Sequence, residues 1–238
     1  IMQKYKSRGK HLITSKIEHA SVLECFRQLE ALGYRTTYLP VDETGSVNVE
    51  DVHNAICADT VLVSVMHVNN EMGRIQPIDQ IGHLLRSHPR IFFHVDAVQS
   101  VGKLRLDPQK SGIDLMSLSA HKFRGPKGTG ILYKREGVGL EPLIVGGGQE
   151  FGLRSGTENV PLIVAMAKAL RMTVEKQEEH SKRLYSLQNR LTDRIKNIPE
   201  LVLNGSTIQS DMAPHIVNFS FPGMRAEVLV HTLEKYQI

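Results

Sequence analysis

Cysteine is scarce in this chain: 238 residues contain only Cys25 and Cys57. The two lack metal-type spacing, and so low a count suits a reducing, cytoplasmic compartment. Both are expected to pack as small hydrophobes, Cys25 partly buried in a helix and Cys57 at a helix end on the outer layer. Eleven histidines are present, yet no HxxxH pair has an acidic ligand nearby, which excludes a recognisable metal site. No apolar run approaches the roughly 18 residues that cross a membrane. Ile1–Lys6 lacks the apolar core of a signal peptide, and the chain does not open on methionine. Lys and Arg exceed Asp and Glu by four but are scattered, a poor basis for a nucleic-acid surface. Nucleotide fingerprints are missing too. Gly125-Pro126-Lys127-Gly128-Thr129-Gly130 has the wrong order for GxGxxG. Ser100-Val101-Gly102-Lys103-Leu104 lacks the Ser/Thr and first Gly of a P-loop.

What remains is an ordinary globular composition, 41% hydrophobic and 23% charged, long enough for one large domain or somewhat more. Apolar runs at residues 10–17, 34–41, 60–67, 91–95, 113–118 and 130–134 read as strands. Several are continuous rather than alternating, the mark of strands buried on both faces. Helical spacing falls between them, at 22–32, 49–58 and 77–86. Gly33 sits where a helix C-cap belongs, and Pro77 near a start, where proline is tolerated. This alternation predicts an α/β fold with a mostly parallel sheet. Residues 140–159 are glycine-rich and aperiodic, so they read as functional or interfacial. A long helical stretch follows over 161–198, broken once. A small α/β unit comes last, with strands near Val202 and at 215–221 and a helix over 225–236. The domain boundaries expected are 1–165, 166–198 and 199–238.

In parallel sheets ligands collect beyond the C-terminal ends of strands. Three polar clusters fall there: Asn69-Asn70, Asp96 to Gln99, and Ser119 to Lys122. Asp96 either pairs with a protonated ring nitrogen or merely caps the next turn. Lys122 is either a desolvated amine nucleophile or a solvated turn lysine. His19, at a strand end, either stacks on a flat ring or is a surface turn residue. Asp96 and Lys122 together point to pyridoxal 5′-phosphate: the carboxylate keeps the pyridinium protonated and the lysine holds the aldehyde as a Schiff base. Ser119 and His121 flank the place where a phosphate would lie.

Ser119-Ala120-His121-Lys122, with Gly125-Pro126-Lys127-Gly128 behind it, resembles the Schiff-base motif of the NifS/IscS-type cysteine desulfurases, in the class V aminotransferase family. The likeness extends through Glu18-His19, residues 66–73, 94–103 and 146–150, Arg154-Ser155-Gly156-Thr157 and residues 213–221. It implies a type I, aspartate-aminotransferase-like PLP-dependent transferase fold: a mostly parallel sheet with helices on both faces, plus a small C-terminal α/β domain. By the same resemblance Lys122 anchors the cofactor, Asp96 pairs with the ring nitrogen, and His19 stacks on the ring and moves protons. Gln99 and Asn70 lie near the ring hydroxyl, and Ser119 and His121 bind the phosphate. Thr157 reaches the phosphate of a neighbouring subunit, implying a homodimer.

The reaction implied takes L-cysteine to L-alanine. Sulfur passes to an enzyme cysteine as a persulfide and on to a sulfur-acceptor protein, for iron-sulfur cluster assembly or tRNA thiolation. A class V aminotransferase, a selenocysteine lyase and an inactive dimerising scaffold are the alternatives. The resemblance also implies that a phosphate-binding segment precedes Ile1. The sulfur-accepting cysteine and the substrate-carboxylate arginine would follow Ile238. The expectation is therefore an internal fragment whose small domain is cut short and which lacks turnover.

Overall fold

The computed structural model describes residues 1–237. Six strands form the central sheet: β1 (His11–Ser15), β2 (Arg35–Leu39), β3 (Thr60–Ser64), β4 (Phe92–Asp96), β5 (Leu115–Ser119) and β6 (Gly130–Lys134). Their order is β2-β1-β3-β4-β5-β6. Neighbours are parallel except β6, which returns antiparallel on β5. Each of the six strands expected for this sheet is present, its ends shifted by up to three residues.

Alternate residues of these strands enter two separate cores, which is why their sequences read as unbroken apolar runs. Ile13, Val63, Phe93 and Val95 face one side, where they meet Val52 of α2 (Val49–Ala55) and Ile78, Ile81 and Leu85 of α3 (Ile78–Leu85). Leu12, Val61, Phe92 and Leu115 face the other, against Phe26 of α1 (Ala20–Ala31) and Met2. Helices therefore cover both faces. Gly82, inside α3, allows a very close approach: a Cβ there would sit 1.8 Å from the Ser111 carbonyl oxygen.

The long helical stretch breaks once, at Lys176, into α4 (Val160–Glu175) and α5 (Gln177–Ile195). The last unit contains β7 (Val202–Leu203), β8 (Phe219–Ser220) and α6 (Ala226–Glu234). The strand expected at 215–221 is mostly absent. Residues 213–216 are held instead by loop and helix groups. The Ala213 N–H donates to the Gly73 carbonyl at 2.7 Å. Gln188 Nε2 of α5 donates to the carbonyls of Ala213 and Ile216. These bonds satisfy the Ala213 N–H and carbonyl and the Ile216 carbonyl outside any strand ladder.

The two cysteines also differ from expectation, since both are exposed. Cys25 lies off the stripe of α1 that buries Phe26. Cys57 lies beyond α2, with Sγ 3.1 Å from His11 Nδ1 and 3.4 Å from Thr60 Oγ1. His11 and Thr60 open β1 and β3, so Cys57 is at the N-terminal edge of the sheet.

Candidate active site

Order in the sheet reverses between β1 and β3: the chain runs outward to β2, then crosses back and continues to β6. Such a reversal opens a crevice beyond the strand C-termini, because the flanking connections leave in opposite directions. The expected site residues other than Thr157 lie at or just beyond the C-termini of β1, β3, β4 and β5. His19 follows β1, Asn70 follows β3, Asp96 ends β4 with Gln99 just after, and Ser119 ends β5 with His121 and Lys122 in the 3₁₀ turn Ala120–Phe123. Asp96 is in register with Ser117, so the β4 and β5 ends lie side by side.

Asp96 is only 8% exposed. Its Oδ1 accepts the Val98 N–H at 2.9 Å. Oδ2 has no hydrogen-bond donor among the described residues. Burial pushes its pKa up, while that hydrogen bond and a charge on His19 oppose the shift. His19 caps α1: Nδ1 accepts the Ser21 N–H at 3.2 Å. Acceptance at Nδ1 assigns the proton of the neutral ring to Nε2. Ser119 Oγ lies 2.8 Å from His121 Nδ1. Lys122 is exposed, and its amine enters no hydrogen bond or ion pair among the described residues.

The tandem asparagines divide the work. Asn69 is buried and spends its side chain on backbone: Oδ1 accepts the N–H groups of Glu71 and Met72, and Nδ2 donates to the Ile17 carbonyl. That ties the loop after β3 to the end of β1. Asn70 is half-buried and donates only to the neighbouring Glu71 carboxylate, so its amide stays available. Gln99 Oε1 lies 3.4 Å from His215 Nε2 of the last unit. Thr157 is exposed in the glycine-rich segment, away from these contacts.

Three further groups have no role in the sequence reading. Glu18, 5% exposed, accepts the Ser15 hydroxyl at 2.7 Å and the Met66 N–H at 2.8 Å through Oε1, while Oε2 is buried without a partner. Burial outweighs those two bonds and, with Asp96 adding repulsion, lifts its pKa to about 7. His215 is held neutral, its pKa pushed down to about 4 by burial and by the charges of Lys103 and Lys122. Lys103 is half-buried, and its pKa falls to about 8 through burial and then the charges of Lys122 and Arg124. Glu18 sits in a quoted motif, but its burial depends on β3 lying alongside. Lys103 and His215 also lie in family-like stretches, but the contact of His215 with Gln99 comes from a segment far along the chain.

Glu18 makes stability depend on pH in a defined direction. In the folded chain its pKa is raised to about 7, against an ordinary value of 4.5. That proton binding stabilises the fold at low pH, and the contribution is lost as pH rises through about 7. Glu18→Gln removes the titration. Its stability relative to the wild type should rise between about pH 5 and pH 8, by on the order of 3 kcal/mol at most. Urea melts at both pH values test this; a gap that stays constant with pH would show that Glu18 titrates normally.

A mostly parallel sheet with helices on both faces, offering a lysine and a buried carboxylate at adjacent strand ends, is the arrangement that the resemblance to type I, aspartate-aminotransferase-like pyridoxal-phosphate enzymes implies. The residues suit that cofactor: Asp96 keeps one oxygen free of protein donors, and the Lys122 amine is unengaged. The "Aminotransferase class-V" family profile matches residues 1–238, and the chain belongs to that family. The family's cofactor is pyridoxal 5′-phosphate. A protein of Lactobacillus delbrueckii subsp. bulgaricus named "NifS/IcsS protein homolog" is 51% identical over 231 residues, covering 97% of this chain and 60% of that protein. "Cysteine desulfurase IscS" of Clostridium botulinum is 48% identical over 230 residues, covering 96% of this chain and 58% of its own. A solved structure of a "NIFS-LIKE PROTEIN" superposes with a TM-score of 0.94 at 39% identity, over 100% of this chain and 64% of that one. Another, "SspA in complex with cysteine", gives 0.76 at 39% identity, covering 95% of this chain and 62% of its own. The chain thus spans about 60% of the length of these curated relatives.

Proposed function

We propose that this chain carries the cofactor site of a cysteine desulfurase. The protein would convert L-cysteine to L-alanine and pass the sulfur to an enzyme thiol as a persulfide, for iron-sulfur cluster assembly or tRNA thiolation. The single observation that carries this reading is the placement of Asp96 and Lys122 at the adjoining C-terminal ends of β4 and β5, with His19 beyond the end of β1 at the same edge of the sheet and near enough for its charge to act on Asp96. Relatives named cysteine desulfurase, and a related structure described as a complex with cysteine, support the choice of substrate.

Pyridoxal 5′-phosphate, when bound, withdraws electrons from the carbon next to the amine it holds. The protein's part is positioning and charge. Lys122 would hold the cofactor through its side-chain amine, a group able to carry a proton at Nζ. The Asp96 carboxylate holds a proton on the ring nitrogen, in a buried setting where that charge acts strongly. His19, fixed through Nδ1, would stack on the ring, with Nε2 the atom able to hold or move a proton. Asn70 and Gln99 orient the ring hydroxyl, and Ser119 and His121 hold the phosphate. Thr157 reaches the phosphate of a second subunit, which makes the working form a homodimer. Cys57, at the opposite edge of the sheet, is not placed to take the sulfur.

Borohydride reduction of the protein incubated with pyridoxal 5′-phosphate should fix the label on Lys122, located by peptide mass mapping. A label spread over Lys103, Lys127 and Lys134, or absent, would reject the reading.

A further inference from the structure

We propose that Lys103 is a positioning residue for the cofactor-anchoring lysine: its ammonium holds the main-chain carbonyl of Lys122 and so locks the turn that presents Lys122 to the loop that follows Asp96. The inference rests on the cofactor reading above.

The turn Ala120–Phe123 is a single 3₁₀ turn, too short to hold itself. It ends at Arg124, a non-glycine residue at φ 65°, whose N–H returns to the Ala120 carbonyl. The Gly125 N–H goes to that same carbonyl at 2.8 Å. The carbonyls of Lys122 and Phe123 are therefore left over at the C-terminal end, as at any helix end. Two side chains from elsewhere in the chain take them. Lys103 Nζ donates to the Lys122 carbonyl at 2.9 Å. Thr173 Oγ1 of α4 donates to the Phe123 carbonyl at 3.2 Å.

Lys103 lies on the loop that starts at Asp96. That loop is folded tightly: the N–H groups of Lys103 and Leu104 both reach the Ser100 carbonyl. Gly102, at φ +77°, brings it onto α4, where a Cβ would sit 1.9 Å from Thr173 Cγ2. One side chain thus bridges the carboxylate's loop to the lysine's turn, with α4 bracing both. The electrostatics argue that this bridge has a use. Lys103 is half-buried beside Lys122 and Arg124, two further cations, and no carboxylate pairs with it among the described residues. A lysine kept in such repulsive company is compensated by the carbonyl end of the turn, where the dipole favours a cation.

The test is titration of pyridoxal 5′-phosphate into the wild type, Lys103→Met, Lys103→Arg and Lys122→Ala, following the visible absorption band and cofactor retention on gel filtration. Lys103→Met should bind the cofactor about tenfold or more weakly, the effect of losing one charge-assisted hydrogen bond. Lys103→Arg should recover most of the affinity, because a guanidinium can reach the same carbonyl. General damage to the fold would not be rescued in that way. If Lys103→Met does not fold, Lys103→Gln takes its place, a shorter neutral donor expected to bind less tightly than Lys103→Arg. Wild-type affinity and an unchanged band in Lys103→Met or Lys103→Gln would overturn the inference. Persistence of the band in Lys122→Ala would instead overturn the cofactor reading on which it rests.

Discussion

Asp96→Asn is expected to slow exchange of the α-hydrogen of L-alanine for deuterium by about 10²- to 10³-fold, the usual scale for removing a pre-organised charge. The measurement is proton NMR in D₂O with pyridoxal 5′-phosphate bound. Asparagine keeps an acceptor for the Val98 N–H, so the loop after β4 has no reason to move. What disappears is the negative charge proposed to retain the ring proton. Asp96 is 8% exposed, so little water is at hand to replace that charge. The visible band should survive, because Lys122 is untouched. A variant that exchanges at the wild-type rate would show that Asp96 caps the turn and does nothing more. The wild type should also lose activity on acidification sooner than an ordinary carboxylate would allow, since burial raises this pKa.

Phe93→Ala should cost about 4 kcal/mol, near the middle of the range for emptying a buried aromatic site. Phe93 is 1% exposed and lies at the centre of the core that β4 shares with α2 and α3. It is in register with Val63 of β3. Its N–H is held by the buried Asp114 carboxylate at 2.8 Å, so the strand cannot easily shift to fill the cavity. Such a loss is a large share of the roughly 5–15 kcal/mol that stabilises a typical domain. Leu132, on the antiparallel strand β6 and 53% exposed, is the control. Leu132→Ala should change stability by less than about 0.5 kcal/mol. Urea midpoints for the pair decide the matter; a cost below about 1 kcal/mol at Phe93 would contradict the close packing described for this layer.

Both predictions concern β4, and that strand shows where sequence reasoning reached and where it stopped. Phe92, Phe93 and Val95 are legible as a doubly buried strand because an unbroken apolar run is stable only with cover on both faces. Polar residues directly after such runs mark the ligand edge, so the positions of His19, Asn70, Asp96, Gln99, Ser119, His121 and Lys122 at strand C-termini were legible from local pattern, while the roles proposed for them rest on family likeness. Local pattern could not separate Asn69 from Asn70, because the difference lies in a bond from Asn69 to the Ile17 carbonyl across the sheet. The cysteines failed for a related reason. Helical position alone does not say which face of α1 meets the sheet, and Cys25 proved exposed.

The sequence by itself determined the strand and helix alternation, the ends at which chemistry collects, and the family. These follow from period, turn chemistry and motif, all of which act over a few residues. Only the tertiary structure decided the strand order, the burial of the Glu18 carboxyl between β1 and β3, the arrival of His215 beside Gln99, and the bridge from Lys103 to the Lys122 carbonyl. Each depends on contacts between residues far apart in the chain. Such contacts are set by which surfaces pack together, a property of the whole fold that no local window contains.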